Sequence, residues 1–328
     1  MTWGTTDDAR TAPHRPGGGA VAAAIGVGAV GALLGILPWL LQGARLPLQL
    51  LWTSPVVDAQ QMPLALLPFS PFDATTLAGL LVAGAVLAGG AVRLLRTRLP
   101  RRAPLLALGG ALLVQLVAIV QSAVATGSGL SMDAPSGAGG TGAQVSDAQI
   151  YLVALVLGCL VSVVVGGVVL LVVAAAPPAV AVVGAAAGAV ALGPWLTTFV
   201  PPTSDDMFSY GPGATTALAV LRWVPAVVTG AAIAATGLRS VGRIAGAVGA
   251  LVVLWSGTAL VTGLAAGLST RVLLEYPLDL ALFGAQVFVS ALGPAGVGLS
   301  LAGVAALVGA AGALLLRSAR RRRDDEGA

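Results

Sequence analysis

One basic residue stands inside an apolar run of this chain: Arg222, in the segment LAVLRWVPAV, with Trp223 and Pro225 beside it. An arginine within hydrocarbon is costly and is commonly kept for an internal cavity, an anionic ligand or an ion path. It is also long enough to snorkel to the outer interface if its span begins nearer Leu221 than Ala214. No acidic residue falls inside any apolar run to pair with it. Gln115, Gln121, Gln149 and Gln286 are the uncharged counterparts, lying within or at the ends of apolar runs. Gln115, Gln149 and Gln286 join Arg222 as candidate pathway or ligand contacts. Their plainer role is interhelical hydrogen bonding, worth about 0.6 kcal/mol each in a membrane.

The remaining reactive groups are few. The single histidine, His14, lies in a polar N-terminal tail, and the single cysteine, Cys159, in an apolar stretch. One chain therefore holds no disulfide, no bis-histidine haem and no multi-histidine metal site. Asp205-Asp206, flanked by Thr203 and Ser204, reads as a solvated turn before it reads as a cation site, since calcium wants six to eight oxygens. Gly26, Gly28 and Gly31 spell G-x-G-x-x-G, but a dinucleotide site needs a preceding strand and an acid about 20 residues on. Here the glycines are inside an apolar run and the next acid is Asp58, so they read as helix-packing positions. No catalytic residue, metal or cofactor is expected, and no enzymatic activity.

The elements that carry these residues follow from composition. Of 328 residues, 57% are hydrophobic and 9% charged, against about 25% charged in a soluble domain. Mean hydropathy is +0.95. These values exclude a soluble enzyme, a disordered chain and a nucleic-acid-binding domain. All 17 basic residues are Arg, and with abundant Ala and Gly this points to a GC-rich bacterial genome.

Apolar runs predict an all-α polytopic bundle of eight transmembrane helices at about 20–42, 74–95, 103–126, 148–176, 178–200, 214–237, 241–267 and 285–316. Residues 1–19 form a polar tail expected to be disordered, and 317–328 an Arg-rich C-terminal tail. The first run continues too far for a signal peptide and reads as an uncleaved span. Pro177-Pro178 ends the fourth helix and turns the chain straight into the fifth.

Arginine clusters orient the bundle. Arg10 and Arg15, Arg93 to Arg102, Arg239 and Arg243, and Arg317 to Arg323 all fall on one face of an eight-span arrangement. With five acids they leave +9 there, while eight acids and two arginines leave −6 on the other face. The positive-inside rule makes the basic face, and both termini, cytoplasmic. The run Arg320, Arg321, Arg322, Arg323 also fits anionic lipid, besides serving as a stop-transfer signal.

The halves 20–176 and 178–316 look alike. Pro38-Trp39-Leu40 matches Pro194-Trp195-Leu196, Ala74-Thr75-Thr76 matches Ala214-Thr215-Thr216, and Gly110-Ala111-Leu112 matches Gly249-Ala250-Leu251. Gly129-Leu130-Ser131 and AQIYLVAL (148–155) follow with Gly267-Leu268-Ser269 and AQVFVSAL (285–292). The order is collinear, and four spans per half gives both halves one orientation, the parallel-repeat arrangement.

The outer loop 43–73 interrupts the likeness. Rich in Pro, Leu and aromatics, it reads as lying in the outer interface on Trp52, Phe69 and Phe72, either as simple packing or as a docking surface. The expected function is a non-enzymatic scaffold or accessory subunit of a bacterial cell-envelope or export complex in the cytoplasmic membrane. The alternative is a permease or channel with a pathway between the halves. Beyond the lipid bilayer, the expected partner is a membrane protein and not a nucleic acid.

Overall fold

A computed structural model describes residues 18–48, 61–130, 147–200, 211–269, 277–294 and 296–326. The N-terminal tail with His14, Trp52, the loop acids Asp58, Asp133, Asp205, Asp206 and Glu275, and Arg271 lie outside the described residues. So do the side chains of Arg320 to Arg323.

The described residues form an all-α bundle: α1 (Gly18–Leu41), α2 (Ala74–Leu94), α3 (Ala103–Gly127), α4 (Asp147–Ala175), α5 (Pro178–Thr197), α6 (Pro212–Leu221), α7 (Val224–Thr236), α8 (Val241–Ser269), α9 (Pro277–Leu292) and α10 (Val297–Glu326). Eight apolar segments among them are long enough to cross a membrane, with α6 and α7 together making one. The chain is a multi-pass membrane protein.

Its packing inverts that of a soluble domain. On α3 the inward positions are Ala107, Gly110, Ala111, Gln115, Ala118, Ser122 and Thr126. Leu113, Val117, Val120 and Val124 point outward and are 55 to 66% exposed. Lipid tails are as apolar as leucine, so helices gain by close approach of small residues and leave the large ones to the lipid. Gly28 lies on the Ala107 backbone, Gly110 on that of Ile25, and Gly31 against Ala88. Thus G-x-G-x-x-G is a packing seam, on α3 through one glycine and on α2 through another.

The same pairings recur in both halves. In the first, α1 packs on α2 and α3, and α2 on α4; in the second, α5 packs on α7 and α8, and α7 on α10. A glycine lies in each of the α2–α4 and α7–α10 contacts: Gly89 of α2 meets Leu170 of α4, and Gly230 of α7 meets Ala305 and Val308 of α10. Between the halves, α2 and α4 pack on α5. Gly79 lies against Pro194 and Trp195, Gly188 against Val86, and Gly184 against Val172. The Trp195 indole donates to the Gly35 carbonyl of α1, 2.8 Å away.

Three stretches depart from the sequence expectations. The eighth span, expected over 285–316, is divided: α9 stops at Leu292 and α10 starts at Val297. Pro294 has no N–H to give the Ser290 carbonyl, which accepts from Gly293 instead, at 3.0 Å. α9 leans on α8, with Gly284 against Gly263 and Gly267. The sixth span also breaks, at Arg222-Trp223, because Pro225 cannot bond the Leu221 carbonyl.

The third is the outer loop. Its described parts pack into the first half. Arg45 and Leu64 form an antiparallel bridge, Leu46 N–H donates to the Pro63 carbonyl (2.9 Å), and Ala65 N–H to that of Ala44 (2.7 Å). Leu46, Met62, Leu67 and Phe69 are then buried with Leu80, Ile119 and Cys159. Phe69 is therefore a core residue, whereas Phe72 is exposed.

Candidate functional site

Two features of α3 hold that outer segment. The Gln121 amide accepts from Leu66 N–H at 2.8 Å and donates to the Leu64 carbonyl at 2.9 Å. The Ser122 hydroxyl accepts from Leu67 N–H at 2.9 Å. From the other side the Trp39 indole donates to the Ala65 carbonyl at 2.8 Å. An irregular backbone at membrane depth must have its polar groups met by protein, and these side chains meet them.

The structure disperses the residues nominated from sequence. Gln115 is buried and its amide donates to the Leu81 carbonyl at 2.7 Å, tying α3 to α2. Gln149, at the start of α4, and Gln286, on α9, are both exposed. Arg222 is exposed at the break between α6 and α7, with its guanidinium carbon 4.8 Å from the centroid of the Trp223 ring. That is cation–π distance. None of these four lines either of the two described cavities.

The larger cavity, about 740 Å³, lies where the two halves part at the arginine-rich end of the bundle. Five arginines line it: Arg93 at the end of α2, Arg96 just beyond, Arg239 and Arg243 at the α7–α8 connection, and Arg317 on α10. Among the described residues, no acidic residue lines it. The rest of the wall is apolar, with Val173, Ala181, Val182, Ala185 and Ala232 among its residues.

Local sequence explains why the arginines sit as they do. In a continuing helix Val173 would receive a bond from residue 177, but Pro177 has no N–H. Arg93 reaches over from α2 and donates to the Val173 carbonyl (2.8 Å) and the Ala176 carbonyl (3.1 Å). α7 ends at Gly237, whose φ of +71° suits glycine, and Arg243 donates back to the Thr236 carbonyl at 3.0 Å. Helix C-termini carry partial negative charge, so cations are favoured there. Arg96 and Arg239 have no hydrogen bond or ion pair among the described residues.

In the sequence all five arginines read as topology determinants. That they converge required knowing that the α2–α3 and α7–α8 connections and the end of α10 meet across the junction of the halves. The one hint available was Pro177-Pro178, which leaves a helix end beside Arg93 short of donors. Among the described residues, no three of His, Cys, Asp and Glu come together as a metal site would need. Comparison with protein-family models, curated proteins and solved structures found no match.

Proposed function

We propose that this protein is a non-enzymatic scaffold or accessory subunit of a bacterial cell-envelope or export complex. It would lie in the cytoplasmic membrane with both termini in the cytoplasm. The observation that carries this reading is Arg222. It lies about 15 Å along its span from Pro212, at 1.5 Å rise per residue, exposed on the flank of the bundle. α6, which leads to it, buries none of its own residues. A charge at that depth favours a partner over lipid, and Arg222 makes no ion pair among the described residues. A partner helix carrying an acidic or other acceptor side chain would cover both the charge and the bare helix.

The junction between the halves supports the same reading. Among the described residues its close approaches are Gly79 to Pro194 and Ala191, Gly188 to Val86 and Gly184 to Val172, with the Trp195 indole hydrogen bond. A polar route through the middle of the bundle is what a permease would need.

A permease remains the second reading, favoured by the helix break at Arg222, since transporters place substrate at discontinuous helices. Purification of the full chain in mild detergent separates the two. The scaffold reading expects one membrane protein to accompany the wild type in fixed ratio, to leave Arg222→Gln, and to stay with Arg222→Lys. A chain that purifies alone and drives solute flux in proteoliposomes, lost in Arg222→Gln, overturns it.

A further inference from the structure

We propose that the arginine-lined cavity binds the phosphate headgroup of an anionic phospholipid, with the acyl chains running out along its apolar wall. This site is separate from Arg222 and stands whether or not a protein partner does.

Charge comes first. Five guanidiniums, from α2, the α2–α3 and α7–α8 connections, α8 and α10, line about 740 Å³ between the halves, and no carboxylate among the described residues lines it with them. Such a volume is in the range of small-molecule sites. Like charges around a space with apolar walls repel one another more than they would in water. Neutralisation by a bound anion removes that repulsion. Arginine is also the side chain whose planar fork matches phosphate oxygens in pairs.

Two of the arginines are held in place: Arg93 donates to the Val173 carbonyl at 2.8 Å and Arg243 to the Thr236 carbonyl at 3.0 Å, while Arg317 reaches the Leu238 carbonyl only at 3.5 Å. Arg96 and Arg239, without such bonds, are left to close on a ligand. They come from opposite halves, so an anion between them would bridge the halves.

The wall decides between a lipid and a free phosphate. Ala181, Val182, Ala185, Ala232 and Ala313 offer a soluble anion nothing, yet they form a smooth apolar surface. Leu94 and Leu316, also among the lining residues, are 84% and 45% exposed, so the cavity opens at the bundle surface beside apolar side chains. Basic pockets between spans at the cytoplasmic side are suited to anionic headgroups for this reason: charge above, hydrocarbon below.

The test uses the full-length protein in a nonionic detergent, titrated with phosphatidylglycerol, with phosphatidylcholine of the same chains, and with glycerol 3-phosphate. A ligand that binds only the folded state raises the thermal midpoint, and native mass spectrometry counts the lipids bound. Phosphatidylglycerol is expected to raise the midpoint, and phosphatidylcholine and glycerol 3-phosphate to leave it unchanged. With each arginine near a headgroup worth about fivefold in affinity, the double variant Arg96→Gln/Arg239→Gln should bind about 30-fold more weakly. Arg98→Gln/Arg101→Gln removes the same charge outside the cavity and should bind like the wild type. Equal losses in both double variants would mean diffuse surface charge and sink the proposal. Equal stabilisation by phosphatidylcholine overturns the headgroup, and stabilisation by glycerol 3-phosphate overturns the lipid in favour of a soluble phosphate. The lipid-free midpoint of each variant separates a folding defect from a binding one, and the single variant Arg96→Gln, about fivefold weaker, serves if the double is unstable.

Discussion

At the scale of single residues, close approach governs this protein more than polarity does. Gly28 and Gly26 make the comparison, two residues apart on α1. A methyl at Gly28 would run into the Ala107 carbonyl of α3, whereas one at Gly26 has nothing within 4 Å. Backbone cannot yield as a flexible side chain can, so α1 and α3 would have to separate. Overpacking of this kind costs about 1–3 kcal/mol. Gly28→Ala is therefore expected to lower the thermal midpoint in detergent clearly, and Gly26→Ala to leave it at or slightly above wild type. Equal midpoints for the two variants would show that the α1–α3 contact does not depend on the missing side chain. The glycine spacing was legible in the sequence, but both glycines belong to the same motif. Only the neighbouring helix tells them apart.

At the scale of elements, helix ends were the easiest features to read and the outer segment the hardest. Pro177-Pro178 stops α4 as backbone chemistry demands, and the spans before and after it begin and end close to the expected residues. Prolines within apolar runs were harder: hydropathy averages over Pro225 and Pro294, whereas the backbone breaks there. The outer loop reads as interfacial because its composition is that of an interfacial loop, and its described residues 61–69 are inserted among the helices. Its insertion depends on Gln121 and Ser122, distant in sequence, which supply donors and acceptors to an irregular backbone. Cys159, 1% exposed in the same cluster as Phe69, is a built-in reporter of that insertion. Gln121→Ala/Ser122→Ala leaves the Leu66 and Leu67 N–H groups without these acceptors, and a buried polar group left unpaired costs about 1–3 kcal/mol. N-ethylmaleimide should then modify Cys159 in the double variant much faster than in the wild type. An unchanged rate would mean that apolar burial holds the segment without those bonds.

At the scale of the whole molecule, scarcity of charge makes the placement of each charge consequential. The apolar runs fixed the fold class, and the sorting of arginines predicts its orientation, but neither property says where charges meet. The cavity between Arg93 and Arg317 arises because helices from both halves end together, which is a property of the assembled bundle. Orientation itself is open to direct measurement, and the chain is well suited to it. With its single cysteine buried, an introduced thiol should be labelled against little background. Ser128, beyond the end of α3, and Ser240, between α7 and α8, are both exposed and lie at opposite ends of the bundle. The positive-inside rule assigns the Ser240 end, beside Arg239 and Arg243, to the cytoplasm. In intact cells with the outer barrier opened, a membrane-impermeant maleimide should label Ser128→Cys and spare Ser240→Cys. Both should react once the cytoplasmic membrane is permeabilised. The reverse pattern would place the arginine-lined cavity on the external face, where anionic leaflet lipid is not the default neighbour, and would remove the physical basis for a cytoplasmic headgroup site.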